Sequence, residues 1–186
     1  MLTREEARPS THAGFIRPES VIDQWRLKRG DHVADFGAGH GYFTIPVAQI
    51  VGSEGKVYAL DIQKSVLDVI RSRAKILHLL NIECIWADLE HPGGSKLKEG
   101  YIDFVIIANI AFQTETKDAI FKEAHRILRP GGRVAVIEWG ENSRMGPPRE
   151  LRIPKRKITE IAQLTGFHFE EQFDAGRDHY GLLFGK

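Results

Sequence analysis

Three aspartates and a group of glycines are the residues whose types and spacing could support ligand chemistry. The segment from Asp35 to Thr44 reads DFGAGHGYFT, with glycines at 37, 39 and 41. Such glycines allow a tight turn and let a ligand approach the backbone without meeting a Cβ atom. The dinucleotide pattern G-x-G-x-x-G would require glycine where Tyr42 stands, and Asp35 would repel a pyrophosphate lying on the loop. The loop therefore favours a ligand with an ammonium and a sulfonium over a nicotinamide cofactor.

Two further aspartates, Asp61 and Asp88, follow the next two predicted strands. Asp61 lies 20 residues after Gly41, where a carboxylate can accept hydrogen bonds from both hydroxyls of a ribose. Asp88, or the amide of the neighbouring Leu89, is placed to bind the amino edge of an adenine. Each aspartate alone could equally be a turn or helix-capping residue, because Asp favours those positions. Their joint occurrence with the glycine loop favours a nucleoside site.

The elements that must position these residues alternate along the chain. Short apolar runs predict strands at 32–36, 56–61, 82–86, 102–108 and 133–139, and their nearly continuous apolar character is typical of parallel strands covered on both faces. Helical patterns lie at 18–27, 44–51, 64–80, 117–128 and 155–165, and Pro130-Gly131-Gly132 is expected to stop the fourth of them. Two final strands, at 168–173 and 180–184, are close enough to form a hairpin. The alternation predicts a doubly wound, Rossmann-like α/β fold with helices on both faces and a ligand beyond the carboxyl ends of the strands.

Length and composition limit the class of protein. The 186 residues fit one domain. We divide it into an N-terminal segment and helix (1–28), a cofactor-binding core (29–139), and a loop, helix and hairpin (140–186) expected to face the second substrate, the acceptor. The single cysteine, Cys84, excludes a disulfide framework and a multi-cysteine metal site, and we predict no metal. No apolar run approaches the ~20 residues that span a bilayer, and the polar N-terminus is unlike a secretory signal. We expect a cytoplasmic protein that is a monomer or a homodimer.

These motifs together resemble the class I S-adenosylmethionine-dependent methyltransferases, in the group of the ubiquinone/menaquinone-biosynthesis-type methylases. The resemblance covers nearly the whole chain from about residue 15. It rests on five segments that occur in the order typical of the family: VADFGAGHGYFT (33–44), VYALDI (57–62), WADLE (86–90), IDFVIIANIAFQ (102–113) and ILRPGGRVAVIEW (127–139).

The resemblance implies both a sheet and a cofactor site. It implies seven strands in the order 3-2-1-4-5-7-6, mostly parallel with an antiparallel last strand. It also implies S-adenosylmethionine as cofactor, with S-adenosylhomocysteine as its product. Asp35 and the 37–41 loop would hold the methionine part, Asp61 the ribose, Asp88 and Leu89 the adenine, and the Asn109 backbone the methionine end. The full set of expected cofactor-binding residues is Asp35, Phe36, Gly37, Ala38, Gly39, Gly41, Phe43, Asp61, Ile62, Ala87, Asp88, Leu89 and Asn109.

Methyl transfer is an in-line displacement at a sulfonium, so position, orientation and exclusion of water are the main contributions of a protein. A general base is needed only if the acceptor must lose a proton. The candidates for such a base are Glu138, His40 and His12, whereas His179 is expected to have a core or edge role. The residues expected on the acceptor side are Phe15, Phe112, Trp139, Arg149 and Arg152.

The charge distribution adds one observation about the acceptor. Between Asn142 and Lys157 there are six arginines and lysines against Glu150 alone, a local charge of +5 in a chain of net charge +1. Such a segment is often a solvated face, but it would also attract an anionic acceptor. A small or lipid-like acceptor is the first hypothesis, and RNA is a less favoured one because no broad basic face or RNA-binding module is evident. A nicotinamide-dependent oxidoreductase and a non-catalytic cofactor-binding protein are the alternatives from other classes.

Overall fold

The protein forms a seven-stranded sheet with helices on both faces. The structure, a computed structural model, describes residues 17–186, so His12 and Phe15 lie outside the described residues. The strands are β1 (His32–Phe36), β2 (Lys56–Asp61), β3 (Ile82–Trp86), β4 (Ile102–Ala108), β5 (Leu128–Trp139), β6 (His168–Phe173) and β7 (His179–Gly185). Their order is β3-β2-β1-β4-β5-β7-β6. β1 to β5 pair in parallel, and β7 is antiparallel to both β5 and β6. The predicted fold class and strand order are confirmed.

Five α-helices connect or flank these strands. They are α1 (Pro18–Ile22), α2 (Thr44–Val51), α3 (Lys64–Ile76), α4 (Lys117–Ile127) and α5 (Lys155–Leu164). Three short 3₁₀ turns, at Asp23–Trp25, Ala111–Gln113 and Arg149–Leu151, complete the elements of residues 17–186. Within that part of the chain, no helix combines the length and the apolar character needed to cross a membrane.

The largest differences from the predicted bounds are in the first and third helices, which are shorter by five and four residues, and in β5, which is longer by five. The first helix gives way to a 3₁₀ turn that ends where Arg26 adopts a left-handed backbone, at φ 55°. The third helix, α3, ends at Ile76 instead of residue 80, and His78 then adopts a left-handed backbone at φ 53°. β5 begins at Leu128 instead of residue 133, because Leu128 is already extended and pairs with Ile102. The segment from Pro130 to Gly132 therefore belongs to the strand and does not terminate the helix.

Apolar side chains from the two faces of the sheet build two main core clusters. One lies under α4 and α5, and the other lies under α1 and α2, where Trp25 is fully buried. The Trp25 indole lies 5.4 Å from the ring of Phe43 and 5.4 Å from that of Phe104, centroid to centroid. Burying side chains of this kind stabilises a fold by about 1.5–3 kcal/mol each. These clusters fix the carboxyl ends of β1, β2, β4 and β5 next to one another.

Candidate functional site

The glycine loop after β1 adopts backbone angles that favour glycine. Gly37, Gly39 and Gly41 have φ values of +70°, +50° and +80°, in the region that residues with a Cβ atom rarely occupy. A Cβ atom on Gly37 would lie 2.7 Å from Cγ2 of Ile110, whereas one on Gly39 would meet no atom closer than 4.0 Å. The amides of Gly37 and Ala38 both donate to the Leu60 carbonyl, at 2.9 and 3.0 Å. The loop is therefore fixed against β2 and still leaves space above Gly39.

The carboxylate of Asp61, at the end of β2, lies against this loop. Its Oδ2 accepts a hydrogen bond of 2.9 Å from the Gly39 amide, and its Oδ1 accepts one of 2.8 Å from the Gln63 amide. A carboxylate has about four acceptor positions. Each oxygen of Asp61 therefore keeps capacity for a second donor, and the two bonds hold the carboxylate in one orientation.

Asp35, at the end of β1, is buried below the loop. Thr44 donates a hydrogen bond of 2.6 Å from its Oγ1 to Oδ2 of Asp35. Burial raises the pKa of Asp35 from 3.8 to about 6; the Thr44 bond opposes this shift and the nearby Asp61 adds to it. Near neutral pH Asp35 is therefore an anion with little solvent around it, and a cationic ligand group would stabilise that anion.

A cavity of about 390 Å³, which we call the Asp61 cavity, opens at these strand ends. This volume lies within the range of ligand pockets, roughly 300–1,000 Å³. Eight of the expected cofactor-binding residues line it: Gly37, Gly39, Asp61, Ile62, Ala87, Asp88, Leu89 and Asn109. The remaining lining residues were not predicted as cofactor contacts: His40, Gln63, Val66, Glu90, Ile110, Gln113, Thr114 and Ile120.

The adenine end predicted at Asp88 and Leu89 has a specific arrangement of donors and acceptors. Oδ2 of Asp88 lies 3.0 Å from Nδ1 of His91, and its Oδ1 accepts a 3.1 Å hydrogen bond from the Glu90 amide. The Leu89 amide has no hydrogen-bond partner within residues 17–186. The carboxylate is thus partly engaged, and the free Leu89 amide can donate to a ring nitrogen.

A second cavity of about 390 Å³ lies on the other side of the glycine loop, and we call it the Trp139 cavity. Asp35, Ala38 and Phe43 line it, while the two other expected contacts, Phe36 and Gly41, line neither cavity. Gly37, Gly39, His40 and Asn109 are shared with the Asp61 cavity. The rest of its wall consists of Tyr42, Ala108, Trp139 and His179. The two cavities are therefore adjacent, and the second has mainly aromatic and apolar walls.

Asn109, in the shared region, forms a polar pair with His179 of the Trp139 cavity, and the sequence did not predict this pair. Asn109 follows β4 with φ 56°, and its Nδ2 lies 3.2 Å from Nε2 of His179. Its carbonyl accepts a hydrogen bond of 2.8 Å from Nε2 of Gln113. Oδ1 of Asn109 and Nδ1 of His179 are buried and have no hydrogen-bond partner in the described chain. Buried polar atoms without a partner are uncommon and indicate a site where a ligand group can bind.

His179 also contacts Trp139, its register partner between β5 and β7. Their ring centroids are 4.0 Å apart. Burial lowers the pKa of His179 to about 4, against the opposing effect of Asp178, so the imidazole is neutral near pH 7. The signal that could have identified His179 is its position: an antiparallel last strand places its first residue beside the end of β5.

Glu138, a candidate base, points to the opposite face of the sheet from Trp139. It is fully buried, and its Oε1 accepts a 2.8 Å hydrogen bond from the Ala111 amide. Its Oε2 has no partner within residues 17–186, and burial raises the pKa of Glu138 to about 7. Glu138 lines neither the Asp61 cavity nor the Trp139 cavity, and the same holds for Phe112, which packs against a core cluster. The structure therefore places Glu138 as an anchor of the 3₁₀ turn Ala111–Gln113.

The two arginines expected on the acceptor side contact the loop that carries them. The Arg152 guanidinium donates to the carbonyls of Gly140, Glu141, Ser143, Met145 and Pro147 at 2.7–3.3 Å. Arg149 donates to Oδ1 of Asn142 at 3.2 Å. Neither lines the Asp61 or the Trp139 cavity. Arg152 in particular holds the loop after β5 in its fold.

Comparison with known proteins agrees with this geometry. A family profile described as "Methyltransferase domain" matches residues 33–132. The chain is 32% identical over 122 residues to the ubiquinone/menaquinone biosynthesis C-methyltransferase UbiE of Haemophilus ducreyi, covering 65% of this chain and 46% of that protein. It is 35% identical over 123 residues to UbiE of Neisseria meningitidis, covering 65% and 48%. The chain thus spans about half the length of the curated relatives it matches.

Solved structures share the fold over most of the chain. A SAM-dependent methyltransferase from Aquifex aeolicus has a TM-score of 0.84 at 25% identity, over 92% of this chain and 90% of that one. The [4+2]-cyclase SpnF has a TM-score of 0.76 at 16% identity, over 91% and 79%. At 16% identity, the similarity to SpnF shows the fold alone. SpnF is named as a cyclase, so proteins with this fold are not all named as methyltransferases.

Proposed function

The chain belongs to the methyltransferase-domain family, in its S-adenosylmethionine-dependent class, and we propose that it transfers a methyl group to a small or lipid-like acceptor bound in the Trp139 cavity. The observation that carries this proposal is the pair of adjacent cavities joined at the glycine loop. The Asp61 cavity has the acidic and apolar groups that a cationic nucleoside requires. The Trp139 cavity lies directly beside it and has aromatic walls.

The residues of the Asp61 cavity fit S-adenosylmethionine, which supplies a methyl group on a cationic sulfonium. Asp61 keeps acceptor positions for two ribose hydroxyls, and the Leu89 amide, which lies next to apolar walls, has no partner among residues 17–186. Asp35 lines the Trp139 cavity beside the shared glycines, so the methionine end of the cofactor would extend into that side of the cavity, next to the buried negative charge. The side lined by Tyr42, Trp139 and His179 is then left for the acceptor. Gly37 and Gly39 permit close approach to the backbone.

The Trp139 cavity is proposed to position the acceptor and to exclude water. Tyr42, Phe43 and Trp139 provide broad apolar surfaces on which a ring or an alkyl group can pack. Holding an acceptor at a fixed angle to the sulfonium contributes most of the acceleration in such a displacement. Exclusion of water by the aromatic walls removes the competing nucleophile.

Two imidazoles line the Trp139 cavity, and they are the groups we propose to take a proton when the acceptor must lose one. His40 lies in the shared wall, and His179 lies beside Asn109. Burial lowers the pKa of His179 to about 4, which keeps the imidazole unprotonated near pH 7 but also makes it a weaker base than an ordinary histidine. Glu138 is proposed to position the Ala111–Gln113 turn.

A quinone-type ring is a second candidate for the acceptor. The UbiE relatives are named as C-methyltransferases of ubiquinone and menaquinone biosynthesis, and the aromatic residues that line the Trp139 cavity are suited to contact a ring of that kind. The RNA alternative is weaker, since five hydrogen bonds to loop carbonyls engage Arg152 of the basic segment. The oxidoreductase alternative still conflicts with Asp35 and Tyr42 at the glycine loop.

The proposal is tested by calorimetry and by methyl transfer. Purified protein should bind S-adenosylmethionine and S-adenosylhomocysteine, and should not bind NAD or NADP. Incubation with S-adenosylmethionine labelled in its methyl group, together with quinols, phenols and aromatic acids, should move the label into one class of acceptor. Cofactor binding without transfer to any acceptor would favour the non-catalytic alternative. Binding of NAD in place of both adenosyl ligands would overturn the proposal.

A further inference from the structure

A third cavity, which we call the Arg177 cavity, lies next to the Trp139 cavity and has a different chemical character. Its volume is about 460 Å³, and His179 lines both cavities. Its walls come from the loop after β5, from the first residue of α5 and from the connection between β6 and β7. The residues that matter for its charge are Glu141, Arg144, Lys155, Arg177 and Asp178.

Three cationic side chains from three separate segments line the Arg177 cavity. Arg144 and Arg177 have no hydrogen-bond or ion-pair partner within residues 17–186. Lys155 donates from Nζ to Oε1 of Gln172 at 3.0 Å and lies 5.7 Å from the Tyr180 ring centroid. It makes no ion pair with any other residue of the described chain. Unpaired guanidinium groups are well suited to bind carboxylate or phosphate oxygens through two parallel hydrogen bonds.

Two carboxylates also line this cavity, and they leave it with an excess of positive charge. Asp178 is buried, and its Oδ1 accepts a 2.8 Å hydrogen bond from Oγ of Ser143. Glu141 is exposed. His179, in the common wall, contributes no charge near pH 7 because burial lowers its pKa to about 4. Attraction of an anion therefore depends on Arg144, Lys155 and Arg177.

We propose that the Arg177 cavity binds an oxyanion carried by the methyl acceptor, a carboxylate or a phosphate, while the reacting end of that acceptor occupies the Trp139 cavity. This inference rests on the proposed function and adds a substrate class to it. The two cavities meet at one imidazole, so a compact molecule with a ring and an acidic group can occupy both. An acidic aromatic compound fits this pair of cavities better than a neutral quinol does.

The test compares benzoate with benzamide, which present similar rings and differ in charge. Binding to the protein saturated with S-adenosylhomocysteine is measured by calorimetry at low salt. We expect the wild-type protein to bind benzoate at least tenfold more tightly than benzamide. The double variant Arg144→Gln/Arg177→Gln should lose that preference, and Arg144→Lys/Arg177→Lys should keep part of it. The matched control is Arg156→Gln, an exposed arginine of α5 that does not line the cavity, and it should behave as wild type.

Each contrary result has a distinct meaning. Equal affinities of the wild-type protein for benzoate and benzamide would overturn the inference, as would an unchanged preference in the double variant. Co-sedimentation with phosphatidylglycerol vesicles that depends on both arginines, without binding of benzoate, would overturn it in favour of a lipid surface. Failure to bind S-adenosylhomocysteine would contradict the proposed function instead, and benzoate binding would then be measured on the protein alone.

Discussion

The Gly39 amide donates a hydrogen bond of 2.9 Å to Oδ2 of Asp61, and this bond joins the glycine loop to the end of the neighbouring strand. The two residues are 22 positions apart in the chain. The parallel pairing of β1 with β2, which matches Phe36 with Leu60, brings them together. The bond aligns the group proposed to hold the ribose with the loop proposed to hold the methionine part before any ligand arrives.

Replacement of Asp61 by alanine should weaken binding of S-adenosylmethionine. The change removes two charge-assisted hydrogen bonds to the ribose and also frees the Gly39 amide, so we expect a loss of about 2 kcal/mol or more, roughly 30-fold in Kd. Calorimetric titration measures it. The control is Asp68→Ala, because Asp68 is an exposed carboxylate of α3 that pairs with Arg71 and lines neither cavity. An unchanged Kd for Asp61→Ala would remove the ribose assignment.

Asp35→Asn should stabilise the ligand-free protein at high pH and weaken its cofactor binding. Each pKa unit corresponds to about 1.4 kcal/mol, so the shift from 3.8 to about 6 represents roughly 3 kcal/mol. A raised pKa favours the protonated form in the folded state, so the wild-type protein loses stability as pH rises from about 4 to above 6. Asparagine avoids that loss.

Chemical denaturation at pH 3.5 and pH 8 measures this difference. The Asp35→Asn variant should exceed the wild-type free energy of unfolding at pH 8 and match it at pH 3.5. Affinity of the wild-type protein for S-adenosylmethionine should fall as pH decreases through about 6, because protonation removes the charge of Asp35. An equal difference in stability at both pH values would show that Asp35 does not titrate in this range.

Eight of the residues that the sequence predicts as cofactor contacts lie together because they stand at or near the ends of successive strands. Asp35 is the residue before the last of β1, Asp61 is the last residue of β2, and Leu89 comes three residues after β3. Parallel strands bring those ends to one edge of the sheet. Local pattern and topology therefore agree, and eight of the expected contacts line one cavity.

The acceptor half depends on contacts between residues that are distant in the chain. Asn109 and His179 are 70 positions apart, and they meet because β7 runs antiparallel beside β5. Glu138 and Trp139 are adjacent in sequence but point to opposite faces, which separates a candidate base from its cavity. Arg152 appeared from its charge to be available for an anion, yet the fold of its own loop engages it. Such details follow from side-chain direction, which composition does not reveal.

Gly37→Ala should destabilise the protein more than an equivalent change at another left-handed glycine. The added Cβ would lie 2.7 Å from Cγ2 of Ile110, in addition to the strain of φ +70°. Gly100→Ala is the matched control, because its φ is +64° and no atom lies within 4 Å of the added Cβ. We expect the two losses in free energy of unfolding to differ by about 1–3 kcal/mol. The double variant Gly37→Ala/Ile110→Ala should recover part of the lost free energy of unfolding, because it removes the methyl group that the new Cβ would meet. Equal losses at Gly37 and Gly100 would contradict the close packing at Ile110.

Arg152→Ala should loosen the loop that covers Trp139. The guanidinium donates to five loop carbonyls, and the loop packs so closely that a Cβ on Gly146 would lie 2.4 Å from the Trp139 indole. We expect the free energy of unfolding to fall by about 2 kcal/mol. Acceptor turnover should fall with it, while the Kd for S-adenosylmethionine stays unchanged.

Arg152→Lys should not restore the wild-type values, because an ammonium cannot reach several carbonyls in the planar arrangement of a guanidinium. Arg156→Ala, on the exposed side of α5, should change neither stability nor turnover. Thermal denaturation and initial rates of methyl transfer distinguish a direct contact of Arg152 with the acceptor from a role in holding the loop. A loss of turnover at unchanged stability would mean that Arg152 contacts the acceptor directly, whereas a parallel loss of both means that it acts by holding the loop against Trp139.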